Sequence, residues 1–160
     1  MEICIVEEKD DSQLSKRHAF REKVFALEDA LLSLDGAVYG DQPNCPLVHS
    51  FGDGLYVREI FIPAGMVGTT KIHKKAHPYF ILKGKVTVVT EEGSIDIEAP
   101  FHGITKAGTK RAIYAHKDTI WVTVHATKET DLDKIEEEII AKSFSEIPEI
   151  DDPVRPKIGG

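Results

Sequence analysis

The hydrophobic positions fall into two regimes. Between residues 12 and 34, Phe20, Val24, Leu27, Leu31 and Leu34 recur at steps of three and four, with Arg21, Glu22, Glu28 and Asp29 between them. That period predicts an amphipathic helix with one apolar stripe. Asp11 or Ser12 can cap its start, and Asp35-Gly36 can end it. From 55 to 127 the pattern becomes short β-branched and aromatic runs broken by glycine: LYVREIFI, GTTKIH, PYFIL, KVTVVT, SIDIEA, GIT, KRAIYA and TIWVTVHAT. Seven or eight closely spaced strands, turning at Pro63-Ala64-Gly65, Lys83-Gly84 and Glu91-Glu92-Gly93-Ser94, predict an all-β barrel or sandwich.

The remaining segments frame that unit. A short strand is expected at Ile3 to Val6, and residues 40 to 54 (GDQPNCPLVHSFGDG) carry turn chemistry at several points and read as a linker. Thr130 or Asp131 can cap a second helix from Leu132 to about Phe144, with Leu132, Ile135, Ile139 and Ile140 on one side and an acidic outer face. The expected organisation is an N-terminal helix and linker (1–54), a β-barrel (55–127), a C-terminal helix (128–145) and a mobile tail (146–160). The two helical stripes exceed what a single barrel need cover, so a homo-oligomer is expected.

Composition bounds the class. The 160 residues, 41% hydrophobic and 29% charged, suit one globular domain. No run reaches the roughly 20 apolar residues of a spanning helix, and the start, MEICIVEEKDD, does not read as a signal peptide, so a cytoplasmic setting without membrane partners is expected. Cys4 and Cys45 have no Cys or His at ligand spacing and read as ordinary thiols. The formal charge of −7 is unevenly spread. Residues 55 to 117 hold ten Lys/Arg against five acids, a balance of +5, whereas 131 to 152 hold nine acids against two lysines. The barrel region is therefore a basic island, although nucleic acid is an unlikely partner: the acidic C-terminal segment repels a polyanion, and aromatic residues are not interleaved with the cations. The phosphate loop, dinucleotide loop, nucleophile elbow and zinc-protease helix motifs are all missing.

Gly68-Thr-Thr-Lys71-Ile-His73-Lys-Lys-Ala-His77-Pro-Tyr79-Phe-Ile81-Leu-Lys-Gly84, followed by Lys106-Ala-Gly108-Thr-Lys-Arg111, resembles the two motifs of the cupin superfamily. Those motifs are a glycine, a His-x-His pair, a following Glu and a closing Gly, and then Pro-x-Gly-x-x-His. Anchoring on Gly84 and Gly108 puts Lys71 at the first His position, His73 at the second, His77 at the Glu position, Lys106 at the Pro position and Arg111 at the last His. The resemblance covers a little under half the chain and keeps the glycine spacing but not the ligand identities. It implies a mainly β, cupin-type barrel (a double-stranded β-helix) with an α-helix on each side. The barrel together with IHKKAHPYFILKG and DLDKIEEEIIAKSF also resembles uncharacterised cupin-like proteins of tailed bacteriophages, which implies a phage setting in a host cytoplasm.

Strand alternation groups Thr69, Lys71 and His73 on one face, His77, Tyr79 and Ile81 on another, and Arg111 with Ile113 on a third. If the cupin registration holds, all of these point inward. A lysine or arginine about 5 Å from a divalent ion costs about 6 to 7 kcal/mol at an effective dielectric near 20, and it attracts an anion by a comparable amount. His73 and His77 thus have three readings. They are walls of an anion pocket with Lys71, Tyr79 and Arg111; or metal ligands completed by His102, His116 or His125; or hydrogen-bonding groups in a structural barrel. Lys74 and Lys75 read as solvated loop residues. Trp121 reads as packing, and His125, on its face, as structural. Arg58 and Glu59 point opposite ways, and the one facing inward is undetermined. An inward Arg58 joins the anion pocket, whereas an inward Glu59 supplies a carboxylate to a metal.

The expected function is a binding protein that holds a small anionic metabolite or nucleotide-like signal, sequestered in the phage setting, with no required cofactor. The alternatives are a metal-dependent oxygenase or isomerase using His73 and His77, or a structural or assembly protein of a phage.

Overall fold

The computed structural model describes residues 11–38, 40 and 42–147; the expected strand at Ile3 to Val6 and the tail beyond 147 lie outside them. Helix α1 (Asp11–Leu32) is followed by strands β1 (Leu47–Gly52), β2 (Leu55–Ile62), β3 (Val67–Thr69), β4 (Ile72–His73), β5 (His77–Lys83), β6 (Lys85–Thr90), β7 (Gly93–Glu98), β8 (Phe101–Thr105), β9 (Ala112–Ala115) and β10 (Thr119–Ala126). Helix α2 (Leu132–Ile139), strand β11 (Ile140–Ala141) and a 3-10 turn at Phe144–Glu146 complete the described chain.

The strands form an antiparallel barrel of two main sheets, one ordered β1-β2-β10-β5-β8 and the other β3-β9-β6-β7, with β11 and β4 paired at one side. Strand alternation sends Ile62 of β2, Ile81 of β5, Trp121 of β10, Val86 and Val88 of β6, Ile97 of β7 and Ala115 of β9 into one buried cluster between the sheets. Each large aliphatic side chain so buried contributes about 1.5–3 kcal/mol. The β5–β6 turn depends on Gly84, whose φ of 96° is a left-handed conformation, and whose Cβ would collide with Thr119 Oγ1 and the Asp118 carbonyl. The resemblance anchored on this glycine, and its close approach to Thr119 is the physical reason a side chain is not accommodated.

Three local expectations are corrected. The segment read as a linker contains β1, which pairs with β2 from Leu47↔Ile60 to Gly52↔Leu55; its His-Ser centre hides the alternation of an edge strand. The run GTTKIH is broken at Thr70-Lys71 into β3, which pairs with β9, and β4, which pairs with β11. The second helix ends at Ile139, not near Phe144, because Ile140 and Ala141 pair with His73 and Ile72. Its cap is Asp131, whose Oδ1 accepts from the Asp133 and Lys134 amides at 3.0 and 3.2 Å.

The helices cover the barrel from outside. On α1, Val24 is buried and Phe25 meets the Phe144 ring edge-on at 6.0 Å, while Leu34 lies past the helix end and is 61% exposed. Glu28 ties α1 to the barrel by accepting from Lys110 Nζ at 2.9 and 3.0 Å and from Thr69 Oγ1 at 2.7 Å. On α2, Ile135 and Ile139 pack on Tyr56 of β2. Each stripe thus finds partners within the chain for part of its length, while Leu34 and Leu132 stay exposed. Among the described residues, no helix is long and apolar enough to cross a membrane.

Candidate functional site

The barrel is filled at one end and hollow at the other. A cavity of about 820 Å³ opens between the sheets, walled by Ile60, Met66, Ile113 and Trp121 and overhung by Ile135 and Ile139 of α2. Register determines which polar groups enter it. In β2, Tyr56, Arg58 and Ile60 pair with His125, Thr123 and Trp121 of β10. Tyr56 and Trp121 are core residues, so Arg58 shares the inner face and Glu59 faces out. The sequence left that choice open.

Three histidines meet inside. His73 comes from β4, His77 from the start of β5 and His125 from β10, with ring centroids 4.3, 4.4 and 5.3 Å apart and one ligand-capable atom of each within 4.8 Å of the others. His77 Nδ1 lies 3.2 Å from the Lys75 carbonyl, which can only accept, so that nitrogen carries the proton and Nε2 keeps its lone pair. His125 Nε2 is 3.0 Å from Thr123 Oγ1. Burial, the neighbouring histidines and the guanidiniums of Arg58 and Arg111 push His73 from its ordinary 6.5 down to about 2. Burial, His77 and Arg58 push His125 to about 4. His77 is lowered chiefly by burial, with Arg111 adding to it against the Lys75 hydrogen bond. At neutral pH the cluster is three uncharged imidazoles.

Arg111, just before β9, is the buried cation of the site. Its Nη2 donates to Thr105 Oγ1, and its guanidinium lies 4.9 Å from the Tyr79 ring centroid and 5.5 Å from that of Trp121. Burial lowers its pKa from the usual guanidinium range. Tyr79, expected as a ligand contact, stacks on Trp121 at 5.2 Å and packs over Gly103, whose Cβ would lie 2.9 Å from the ring. It backs Arg111. Lys71, expected inside, sits in the break between β3 and β4, exposed at the cavity lip and ion-paired with Glu136 of α2.

The sequence named three spare histidines, and the structure separates them. His125 joins the cluster. His102 is exposed on the outward face of β8, and His116 is exposed with its Nε2 2.6 Å from Thr87 Oγ1. Sequence reasoning passed over Tyr56, which stacks on His125 at 5.8 Å and whose hydroxyl is 2.8 Å from His49 Nδ1. Burial raises its pKa, keeping the phenol neutral.

No protein-family model matches the sequence, and no curated protein matches it. Solved structures do. Salicylate 1,2-dioxygenase from Pseudoaminobacter salicylatoxidans superposes with a TM-score of 0.52 at 10% identity, over 83% of this chain and 35% of that one. Ectoine synthase from P. lautus gives 0.51 at 14% identity, over 69% and 83%. The Schizosaccharomyces pombe Cnp3 cupin domain gives 0.46 at 18% identity, over 63% and 76%. This chain has the cupin fold. At such identities the likeness is one of architecture, and the proteins that share this cupin fold include both enzymes and binding proteins. Nothing among these structures bears on the resemblance to phage proteins.

The cupin resemblance implies metal ligands inside the barrel, and His73, His77 and His125 form a group that could hold a divalent ion. Three neutral imidazoles match the protein-ligand count of an open divalent site and leave a face toward the cavity. Two neighbouring guanidiniums oppose the ion's charge. Among the described residues, the barrel lends the cavity Arg58, Arg111 and Lys71 and no carboxylate, and the acids that line it, Glu28, Asp35, Asp133 and Glu136, come from α1, the turn after it and α2.

Proposed function

We propose that the protein binds a small organic anion, carboxylate-bearing and partly apolar, in the open end of its cupin barrel. The observation that carries this reading is the pair of arginines, Arg58 and buried Arg111, facing a cavity beside the uncharged cluster of His73, His77 and His125. Guanidiniums are matched by the planar bidentate geometry of a carboxylate. The volume, about 820 Å³, and the walls of Ile60, Met66, Ile113 and Trp121 suit an organic body, not a lone inorganic ion. The phage setting and the nucleotide-like identity of the ligand have no further support in the site.

Trp121 is the sole tryptophan and lines the cavity, so its fluorescence reports occupancy. Titration with paired probes, benzoate against benzamide and hexanoate against hexanamide, is expected to perturb the emission with the acids alone. Arg111→Met is expected to weaken the acids by about 10- to 100-fold, the worth of a lost hydrogen bond to a charged group. Equal responses to acids and amides would reject charge selection.

The three-histidine cluster supports a second reading, in which His73, His77 and His125 hold a divalent ion beside the anion. Such an ion would supply Lewis acidity toward a bound ligand. The two readings are compatible, because an anion offsets the combined charge of the ion and the arginines. Elemental analysis of protein purified without chelator separates them: near one metal per chain, lost in His125→Ala, supports the ion, whereas a small fraction of one leaves anion binding alone.

A further inference from the structure

The outward face of the β1-β2-β10-β5-β8 sheet does not resemble a solvated surface. Residues that alternate with the core and cavity positions, Val57 and Phe61 of β2, Val122 and Val124 of β10, and Phe80 of β5, make its three central strands largely apolar. Val48, Leu82 and Ile104, on β1, β5 and β8, are 54, 58 and 66% exposed. The other sheet shows the contrast. Its outward face is mixed, with Tyr114 and Val67 beside Lys85, Thr87, Asp96 and Glu98, and with Thr87 bonded to Asp96 at 2.6 Å and Lys117 to Glu98 at 2.9 Å. Neither helix claims the apolar face: α1 docks on β3 and the Phe144 turn, and α2 packs on Tyr56 and β11.

We propose that this face joins two copies of the chain in an isologous dimer, with the two-fold axis lying along the strands between β10 and β5. The register on the page selects that axis. One row across the sheet reads Val48, Glu59, Val122, Phe80, His102. Face-to-face packing about that axis sets β2 over β8 of the second copy and β10 over β5. Glu59 then meets His102 of the second copy, and Val122 meets Phe80. Two residues along each strand, Val57 meets Ile104. The polar members of the row are Glu59 and His102, an acid and a group able to donate to it, and this placement pairs them twice inside an apolar contact. Four overlapping strands at about 4.8 Å spacing and up to eight residues long give a planar footprint of roughly 500 Å² before side-chain relief. A standard interface takes about 800 Å² from each partner, so the contact belongs at the small end of stable interfaces.

Sedimentation velocity on the full chain over a concentration series tests the proposal. The expected result is a species of twice 17.8 kDa that dissociates on dilution. Leu82→Asp and Ile104→Asp replace side chains already exposed in the monomer, so they are expected to fold, checked by circular dichroism, and to sediment as monomers. Glu59→Lys is expected to weaken the dimer and Glu59→Lys with His102→Glu to restore it. A monomer throughout the series would overturn the proposal, as it would if the chain's own terminal segments or another protein covered the face. A dimer that survives both aspartate variants would place the interface elsewhere and overturn it too. Failure of the double exchange to restore association would overturn the assigned axis.

Discussion

The two ends of the barrel interior are built from the same strands to opposite effect. At the closed end, Ile62, Ile81, Val86, Val88, Ile97, Ala115 and Trp121 interlock in one apolar cluster. At the open end, the same β2, β5 and β10 present Arg58, His77, Thr123 and His125, and α2 with the β4–β11 pair completes the wall. Trp121 and Tyr79 stand between, packing toward the core and supporting Arg111. The closed end holds the fold together, and the open end gathers charged and polar groups around a cavity, an arrangement that costs stability. Stability and function should therefore respond to different substitutions.

The largest separation is expected at Ile81, fully buried in the closed end. Ile81→Ala should cost about 2–5 kcal/mol in urea unfolding; a loss below 1 kcal/mol, on that same scale, would mean that the closed end is not the source of stability. Acid should act at the other end. His73 and His125 titrate near 6.5 when unfolded but at about 2 and about 4 in the fold, so below 6.5 the unfolded chain binds more protons. Their contribution is complete above that pH and declines as pH falls toward about 4 for His125 and about 2 for His73. The decline is up to about 1.4 kcal/mol per pH unit for each histidine. Stability that stays flat from neutrality to pH 4.5 would contradict the neutral cluster.

Arg111→Met should change stability by less than about 1 kcal/mol, in either direction, since removing a buried charge offsets the lost contacts with Thr105 and Tyr79. The same variant should lose anion binding. Lys71→Ala should do least: its pair with Glu136 is exposed and worth about 0–1 kcal/mol. An equal loss of binding in Lys71→Ala and Arg111→Met would move the anion from the cavity floor to its lip.

The legibility of the site follows the same division. Gly84 and the short β-branched runs were readable, because a turn that excludes Cβ and a period of two leave local marks. His73 and His77 were readable from their spacing. His125 was legible only as one of three spare candidates, because the third member comes from a distant strand, and TIWVTVHAT shows which residues share a face without showing which face turns inward. The large apolar ring of Trp121 was the available signal: placing it in the core carries Thr123 and His125 to the cavity with it. Lys71 misled because alternation was extended through Thr70-Lys71, where β3 hands over to β4 and the period is broken. Strand β1 hid for the opposite reason, its alternation being masked by turn-forming neighbours on both sides.

Native mass spectrometry of the full chain purified directly from cells tests the central claim most directly. The account expects each chain of 17.8 kDa to carry a small organic acid that is released on mild activation and is missing from Arg111→Met. A bare chain in both proteins, or the same retained molecule in both, would contradict it.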